Sequence, residues 1–291
     1  MIRLLLILCL AFQFGCQKKT SEIAEGVPLV IVSIPPYEYI VEKIVGDILE
    51  VKTLIPSGSN VHSYEPTPSA VKGLEKATIY FKLGEPIEDK ITKTLQQRNE
   101  NLIIYDLKTG IKLLDDCCLG HQHEMGKDIH IWLSPRLMTR QVVAIGKILI
   151  NRFPEYAETF QNNLNSLISN LEVLNAEIAG KISPLKTKVI LASHPAFAYF
   201  CKDYDCKQIS LEHEGKDPLP KQLDEITWEA AKSGVKAVIA LPQFSMKAAK
   251  HISKELEISL YEFDPYAFNY FINMKYLTNL VVISNEASNR S

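Results

Sequence analysis

Apolar residues recur along the chain in two alternating ways. Short β-branched runs are followed by longer stripes stepped at three and four residues, which predicts strands interleaved with amphipathic helices. The longest stripe contains Tyr156, Phe160, Leu164, Leu167, Leu171, Leu174 and Ile178, all on one face of a helix predicted over residues 154–182. At ~1.5 Å per residue that helix is about 42 Å long, more than the width of a small domain. Pro154 suits its first turn, and Ser183-Pro184 ends it because proline cannot continue a helix. The pattern reads as a strut joining two lobes.

Before the strut, strands are predicted at 29–33, 50–55, 78–83 and 102–105. They alternate with helices over 37–45 and 87–97, one opened by Thr67-Pro68 and one capped by Ser134 and running to Arg152. After the strut, strands at 188–192, 235–241 and 258–263 alternate with a short helix beyond His194 and helices over 219–233, 246–255 and 270–282. Strands separated by helices imply mainly parallel sheets covered on both faces. The expected fold class is α/β: two βα lobes joined by one long rigid helix, with a cleft between them. The lobes take residues 28–150 and 184–291, and the linking helix 151–183.

Composition narrows the picture. With 291 residues, 46% of them apolar, the chain can bury a sizeable core. A formal charge of −2 argues against a nucleic-acid partner bound through phosphate neutralisation. No internal repeat of 20–50 residues is visible. Residues 1–15 form a targeting segment: Arg3 supplies the positive end, and the apolar stretch 4–12 is too brief to span a bilayer of ~30 Å. It stops at Gly15-Cys16, as bacterial lipoprotein signals do, so Cys16 is expected to carry lipid; an ordinary export signal or an uncleaved anchor is the alternative. Residues 16–27 read as a polar tether, and the body is expected to be periplasmic or at the cell surface.

Of the six cysteines, Cys9 and Cys16 belong to the leader. Cys201 and Cys206 flank a turn-like segment and form the expected disulfide of an oxidising compartment. Cys117 and Cys118 are adjacent, where a bridge is strained, so free thiols and metal binding stay open for them.

In parallel sheets, ligands sit outside the carboxyl ends of the strands. His62, His194 and Asp264 each fall just past a predicted strand, and His130 lies in the loop before the Ser134 helix. Three imidazoles and one carboxylate suit a divalent transition metal. Each residue alone also has an ordinary reading, as a loop histidine or a turn aspartate.

The local strings add a resemblance. Gly58-Ser59-Asn60-Val61-His62-Ser63-Tyr64-Glu65-Pro66-Thr67-Pro68, Asp128-Ile129-His130-Ile131-Trp132-Leu133-Ser134-Pro135, Ser193-His194-Pro195-Ala196-Phe197-Ala198-Tyr199-Phe200 and Asp264-Pro265-Tyr266 resemble, in order, the ligand motifs of the metal-binding solute receptors of zinc and manganese ABC importers. The resemblance runs from Leu29 to Leu280. It departs at Ser134 and Ala70, where the family often has aspartate. It implies a monomeric receptor, not an enzyme, that holds one metal ion on His62, His130, His194 and Asp264 and passes it to a membrane permease. The ion expected is Zn2+, with Mn2+ or Fe2+ as alternatives. Glu65, Asp128 and Glu212 are the neighbouring carboxylates available to hold the far nitrogens of the imidazoles. His121 and His123, in the polar insert 115–127, stand where zinc members carry a histidine-rich loop; metal collection and plain solvation are both open for them. Trp132 and Phe197 read equally as walls of the site or as core, and His213 and His251 as surface histidines. Two competing readings are a zinc hydrolase with Glu212 or Glu214 as base, and an adhesion lipoprotein with a structural metal.

Overall fold

The structure, a computed structural model, describes residues 26–61, 63–115, 126–212 and 216–286. The first strand, β1 (Leu29–Val32), is buried at every position, as a parallel strand covered on both faces must be. It is followed by α1 (Pro35–Val45), β2 (Glu50–Thr53), α2 (Pro68–Gly73), β3 (Ala77–Lys82), α3 (Glu88–Arg98) and β4 (Ile103–Asp106). These strands form one parallel sheet in the order β2-β1-β3-β4. Next, α4 (Pro135–Arg152) leads through a short turn at Pro154–Tyr156 into the strut α5 (Ala157–Ile182).

Beyond the strut come β5 (Val189–Ala192), α6 (Ala198–Tyr204), β6 (Lys207–Ser210), α7 (Pro220–Ser233), β7 (Ala237–Ala240), α8 (Lys247–Glu255), β8 (Ser259–Glu262) and α9 (Tyr270–Asn285). Their sheet, β6-β5-β7-β8, is again parallel and repeats the strand order of the first. The expected fold class is the one observed. Thr67 and Ser134 cap their helices as predicted, their hydroxyls accepting from the amides of Ala70 at 3.2 Å and Leu137 at 3.0 Å. Among the described residues no helix is long and apolar enough to cross a membrane.

Three details differ from the sequence reading. The edge strand β6 was not expected, because only Ile209 of its four residues is buried and no alternation marks it. Tyr156 lies in the turn before α5 and is 38% exposed, so it does not belong to the buried stripe. The expected bridge between Cys201 and Cys206 is not formed: Cys206 is a free cysteine. Cys201 is buried on α6, while the Cys206 thiol lies against the carbonyl of Tyr204 at 3.7 Å, across the left-handed turn at Asp205.

Phe160, Leu164, Leu167, Leu171, Leu174, Ile178 and Ile182 line the buried face of α5. Each such side chain contributes about 1.5–3 kcal/mol on burial. The strut packs on α1 and α4 from the first lobe and on α9 from the second. One apolar cluster therefore runs from Val30 in β1 through Leu171 to Phe263 beyond β8, and a smaller cluster covers the outer face of the second sheet.

The lobes also share a closing device. Ser33, just past β1, accepts the amide of Leu83 past β3 at 2.7 Å; Ser193, past β5, accepts the amide of Leu241 past β7 at 2.9 Å. In the first lobe the buried carboxylate of Glu88 adds to this closure, accepting from Ser33 and Tyr80 and from the amides of Leu83, Gly84 and Glu85.

Where α4 meets α5, Gly146 lets the helices approach closely: a Cβ there would stand 2.5 Å from Cδ2 of Leu164. Gly146→Ala is therefore expected to destabilise by about 1 kcal/mol, since overpacking costs about 1–3 kcal/mol against about 1 kcal/mol gained in helix propensity. That corresponds to a melting temperature lower by about 2–4 °C. In a Leu164→Ala background the same change should be neutral or stabilising. Equal effects in both backgrounds would show that this contact does not limit the approach.

Candidate metal centre

Both sheets present their loops where the strand order reverses, between β1 and β3 and between β5 and β7. His194 leaves the end of β5 and Phe244 follows β7; their rings stack with centroids 3.8 Å apart and planes within 8°. His130 reaches the same place from the other lobe. Its ring lies 5.2 Å from that of His194, edge-on at 69°, with Trp132 5.2 Å away on another side. Both histidines are buried, at 6% and 7% exposure.

Each imidazole is held from behind by a carboxylate. The Nδ1 of His130 lies 2.7 Å from Oδ1 of Asp128, which also accepts the His130 amide at 2.8 Å. The Nδ1 of His194 lies 2.5 Å from Oε2 of Glu212. A carboxylate at Nδ1 keeps the proton there and leaves the lone pair on Nε2. Both Nε2 atoms are buried. The arrangement therefore offers two oriented nitrogen donors in a water-poor place with negative charge behind them, which favours a cation.

Asp264 follows β8 and is half-buried. Its Oδ1 accepts from Nε2 of Gln243 at 2.7 Å and from the amide of Tyr266 at 2.8 Å, and its carbonyl accepts from Asn273 on α9 at 2.8 Å. Gln243 also ties in the first lobe, since Nδ2 of Asn60 donates to its carbonyl at 3.0 Å. Trp132 Nε1 donates to the carbonyl of Pro265 and Tyr270 donates to the carbonyl of Trp132, both at 2.9 Å. Beside His194 a cavity of about 270 Å³ is lined by Asn60, Ser193, Glu212, Lys216, Asp217 and Phe244.

The structure thus brings together His130, His194, Asp128 and Glu212, while Asp264 is held by Gln243, the residue before the Phe244 that stacks on His194. Among the described residues no group of three or more His, Cys, Asp or Glu side chains gathers as a metal cluster. Cys16, His62, Cys117, Cys118, His121, His123 and His213 lie outside the described residues. Glu65 is exposed, and the carboxylates behind the buried imidazoles of His130 and His194 are Asp128 and Glu212. Trp132 does wall the site, whereas Phe197 packs on Phe263 in the core. His251 is a surface residue paired with Glu255. Gln243 and Phe244 escaped the sequence reading. They follow a strand end like His194 does, but an amide and a phenyl ring are not residue types that mark a metal site.

Residues 30–282 match the family described as the zinc-uptake complex component A, periplasmic. The zinc-binding lipoprotein AdcA of Streptococcus pneumoniae is 29% identical over 266 residues, which cover 87% of this chain and 52% of AdcA. The chain therefore spans about half the length of that relative. The crystal structure of ZnuA is similar with a TM-score of 0.84 at 32% identity, covering 89% of this chain and 100% of ZnuA. A manganese-bound periplasmic metal-binding protein from Candidatus Liberibacter asiaticus shares the fold, with a TM-score of 0.79 at 17% identity over 89% of this chain and 100% of that one.

The geometry makes a prediction that needs no metal. Long-range proton–nitrogen NMR of metal-stripped protein above pH 7.5 should show both His130 and His194 as Nδ1-protonated tautomers. Asp128→Asn should perturb the nitrogen shifts of His130 and leave His194 as it is. An unchanged His130 pattern would show that Asp128 does not set its tautomer.

Proposed function

The chain belongs to the zinc-uptake complex component A family, and from that premise we propose that it is the extracytoplasmic receptor of an ABC importer. It is a metal receptor and not an enzyme, which removes the zinc-hydrolase reading. In the proposed role it captures one divalent transition metal between its lobes, zinc before manganese or ferrous iron, and delivers it to a membrane permease. His62, His130, His194 and Asp264 are the proposed ligands. Cys16 is the proposed lipid attachment point, and His121 and His123 are candidates for collecting metal at the cleft. The receptor works as a monomer built from the three segments 28–150, 151–183 and 184–291.

One observation carries this reading. Two buried histidines from opposite lobes face each other with rings 5.2 Å apart, each with its Nδ1 on a carboxylate. Carboxylate-backed imidazoles are how proteins usually present nitrogen to a metal, because the carboxylate fixes the ring and raises its basicity. Zinc accepts such nitrogens at about 2.0–2.1 Å in a tetrahedral set, which His62 and Asp264 would complete. Such a site holds zinc more tightly than manganese by the Irving–Williams order, so affinity and transported ion are separate questions. Protons compete with the ion for the imidazole nitrogens, so affinity falls as pH falls.

The test is native mass spectrometry of metal-stripped protein offered zinc, manganese and ferrous iron in competition. One zinc per chain is expected. His130→Ala and His194→Ala should each weaken zinc binding by about 100-fold or more, consistent with the loss of a ligand from a four-ligand site. Asp264→Ala should weaken it too, while all three variants keep the parent circular dichroism. Undiminished zinc affinity in His130→Ala would overturn the ligand assignment, and manganese retained against excess zinc would overturn the choice of ion.

A further inference from the structure

The short segment that carries His194 also reaches across to the loop that carries His130. His194 is followed by a tight turn, with the Ala196 amide on its carbonyl at 2.9 Å, and then by α6, whose second residue is Tyr199. The Tyr199 side chain belongs to the second lobe, yet both partners of its hydroxyl lie in the first. The hydroxyl donates to the carbonyl of Asp128 at 2.7 Å and accepts the amide of Leu114 at 2.9 Å. Leu114 and Asp128 are themselves joined, Asp128 amide to Leu114 carbonyl, at 3.0 Å, and Asp115 and Lys127 form the adjacent antiparallel bridge. The Tyr199 hydroxyl thus spans the neck of the polar insert. The residue it holds by the carbonyl is also the one whose carboxylate holds His130 by both its ring and its amide.

The backbone from His194 to Tyr199, the bond from Tyr199 to Asp128 and the bonds from Asp128 to His130 form one chain. Every member is nearly excluded from water: Tyr199 and Asp128 are each 3% exposed, so their hydrogen bonds meet little competition. The hydroxyl is saturated, with one proton donated and one amide accepted. Burial, offset by the Leu114 amide, pushes its pKa up to about 12, so it remains a donor at any physiological pH.

We infer that Tyr199 is a positioning residue for metal capture: its hydroxyl registers the Asp128–His130 pair against His194 and so sets the distance between the two imidazoles. This rests on the receptor reading above. A phenylalanine in its place keeps the ring that fills the interface. It leaves the Asp128 carbonyl and the Leu114 amide without their shared partner, so the neck and the His130 loop lose their tie to the second lobe. Loss of such an outer support typically costs a metal site 10–100-fold in affinity.

The experiment compares the full chain with Tyr199→Phe and with Tyr204→Phe. Tyr204 lies on the same helix and donates to Asn175 on the strut at 2.9 Å, so its variant removes a similar hydrogen bond without touching the chain of contacts. Zinc affinity is read by competition with a chelator, cobalt(II) substitution by its d–d absorption, and the His130 tautomer by NMR of metal-stripped protein. Tyr199→Phe is expected to bind zinc 10–100-fold more weakly, to shift the cobalt band and to alter the His130 nitrogen shifts. Tyr204→Phe should match the parent in all three readouts while losing a similar few degrees of melting temperature. Parent-like affinity and cobalt spectrum in Tyr199→Phe would overturn the inference, as would equal losses in both variants, which would mean general loosening. A parent chain that takes up neither zinc nor cobalt would instead refute the receptor reading, and this inference with it.

Discussion

The structure depends on burying one face of α5 against helices from both lobes. Leu167, Leu171 and Leu174 in the middle of the strut cannot leave water unless α1 and α4 pack on one side and α9 on the other. Burial of this stripe makes the two lobes parts of a single apolar cluster and not separate bodies on a tether. Receptors with flexible hinges close on their ligands as rigid halves. Here such a motion would pull Tyr266 off the Trp132 ring of the first lobe, and it would break the paired hydrogen bonds between Trp132 and the segment at Pro265 and Tyr270. A site between these lobes is consequently preorganised.

The two sheets are built alike, and the likeness explains where the chemistry sits. In each, a serine at the end of the first strand accepts the amide that follows the third, drawing the two loops at the reversal of strand order against one another. This small closure determines the exit direction of the next residue. In the second lobe that residue is His194, and the loop brought beside it supplies Phe244 as a flat wall and Gln243 as the hydrogen-bond partner of Asp264. The first lobe uses the same device with more buried charge, Glu88 receiving the amides of its loop.

Around the histidines, burial and charge act together. A carboxylate removed from water is costly unless hydrogen bonds or a counter-charge offset the loss. Asp128 receives two bonds from His130, and Glu212 receives the ring of His194. Both carboxylates thereby orient the rings and leave a net negative environment, which a divalent cation relieves. The stacking of Phe244 on His194 and the proximity of Trp132 to His130 restrict ring rotation, so the nitrogen donors are held before any ion arrives.

Periodicity and local chemistry were enough to read most of the elements. The strut, the alternation of strands and helices, and the caps at Thr67 and Ser134 follow from spacing and side-chain type, because burial on one face and satisfaction of terminal amides are properties of neighbouring residues. His194 and Asp264 were legible as residues just past strand ends, and the four motifs pointed to the family. Tertiary structure alone decided the rest. Nothing local distinguishes Asp128 and Glu212, which back the imidazoles of His130 and His194, from the exposed Glu65. Nothing local marks Phe244, Gln243 or Tyr199 as parts of the site, keeps Cys206 unbridged, or reveals that Ser33 and Ser193 play the same part in sheets that share no visible repeat. Those are relations between segments tens of residues apart, and they exist only after the strut has brought the two lobes into one core.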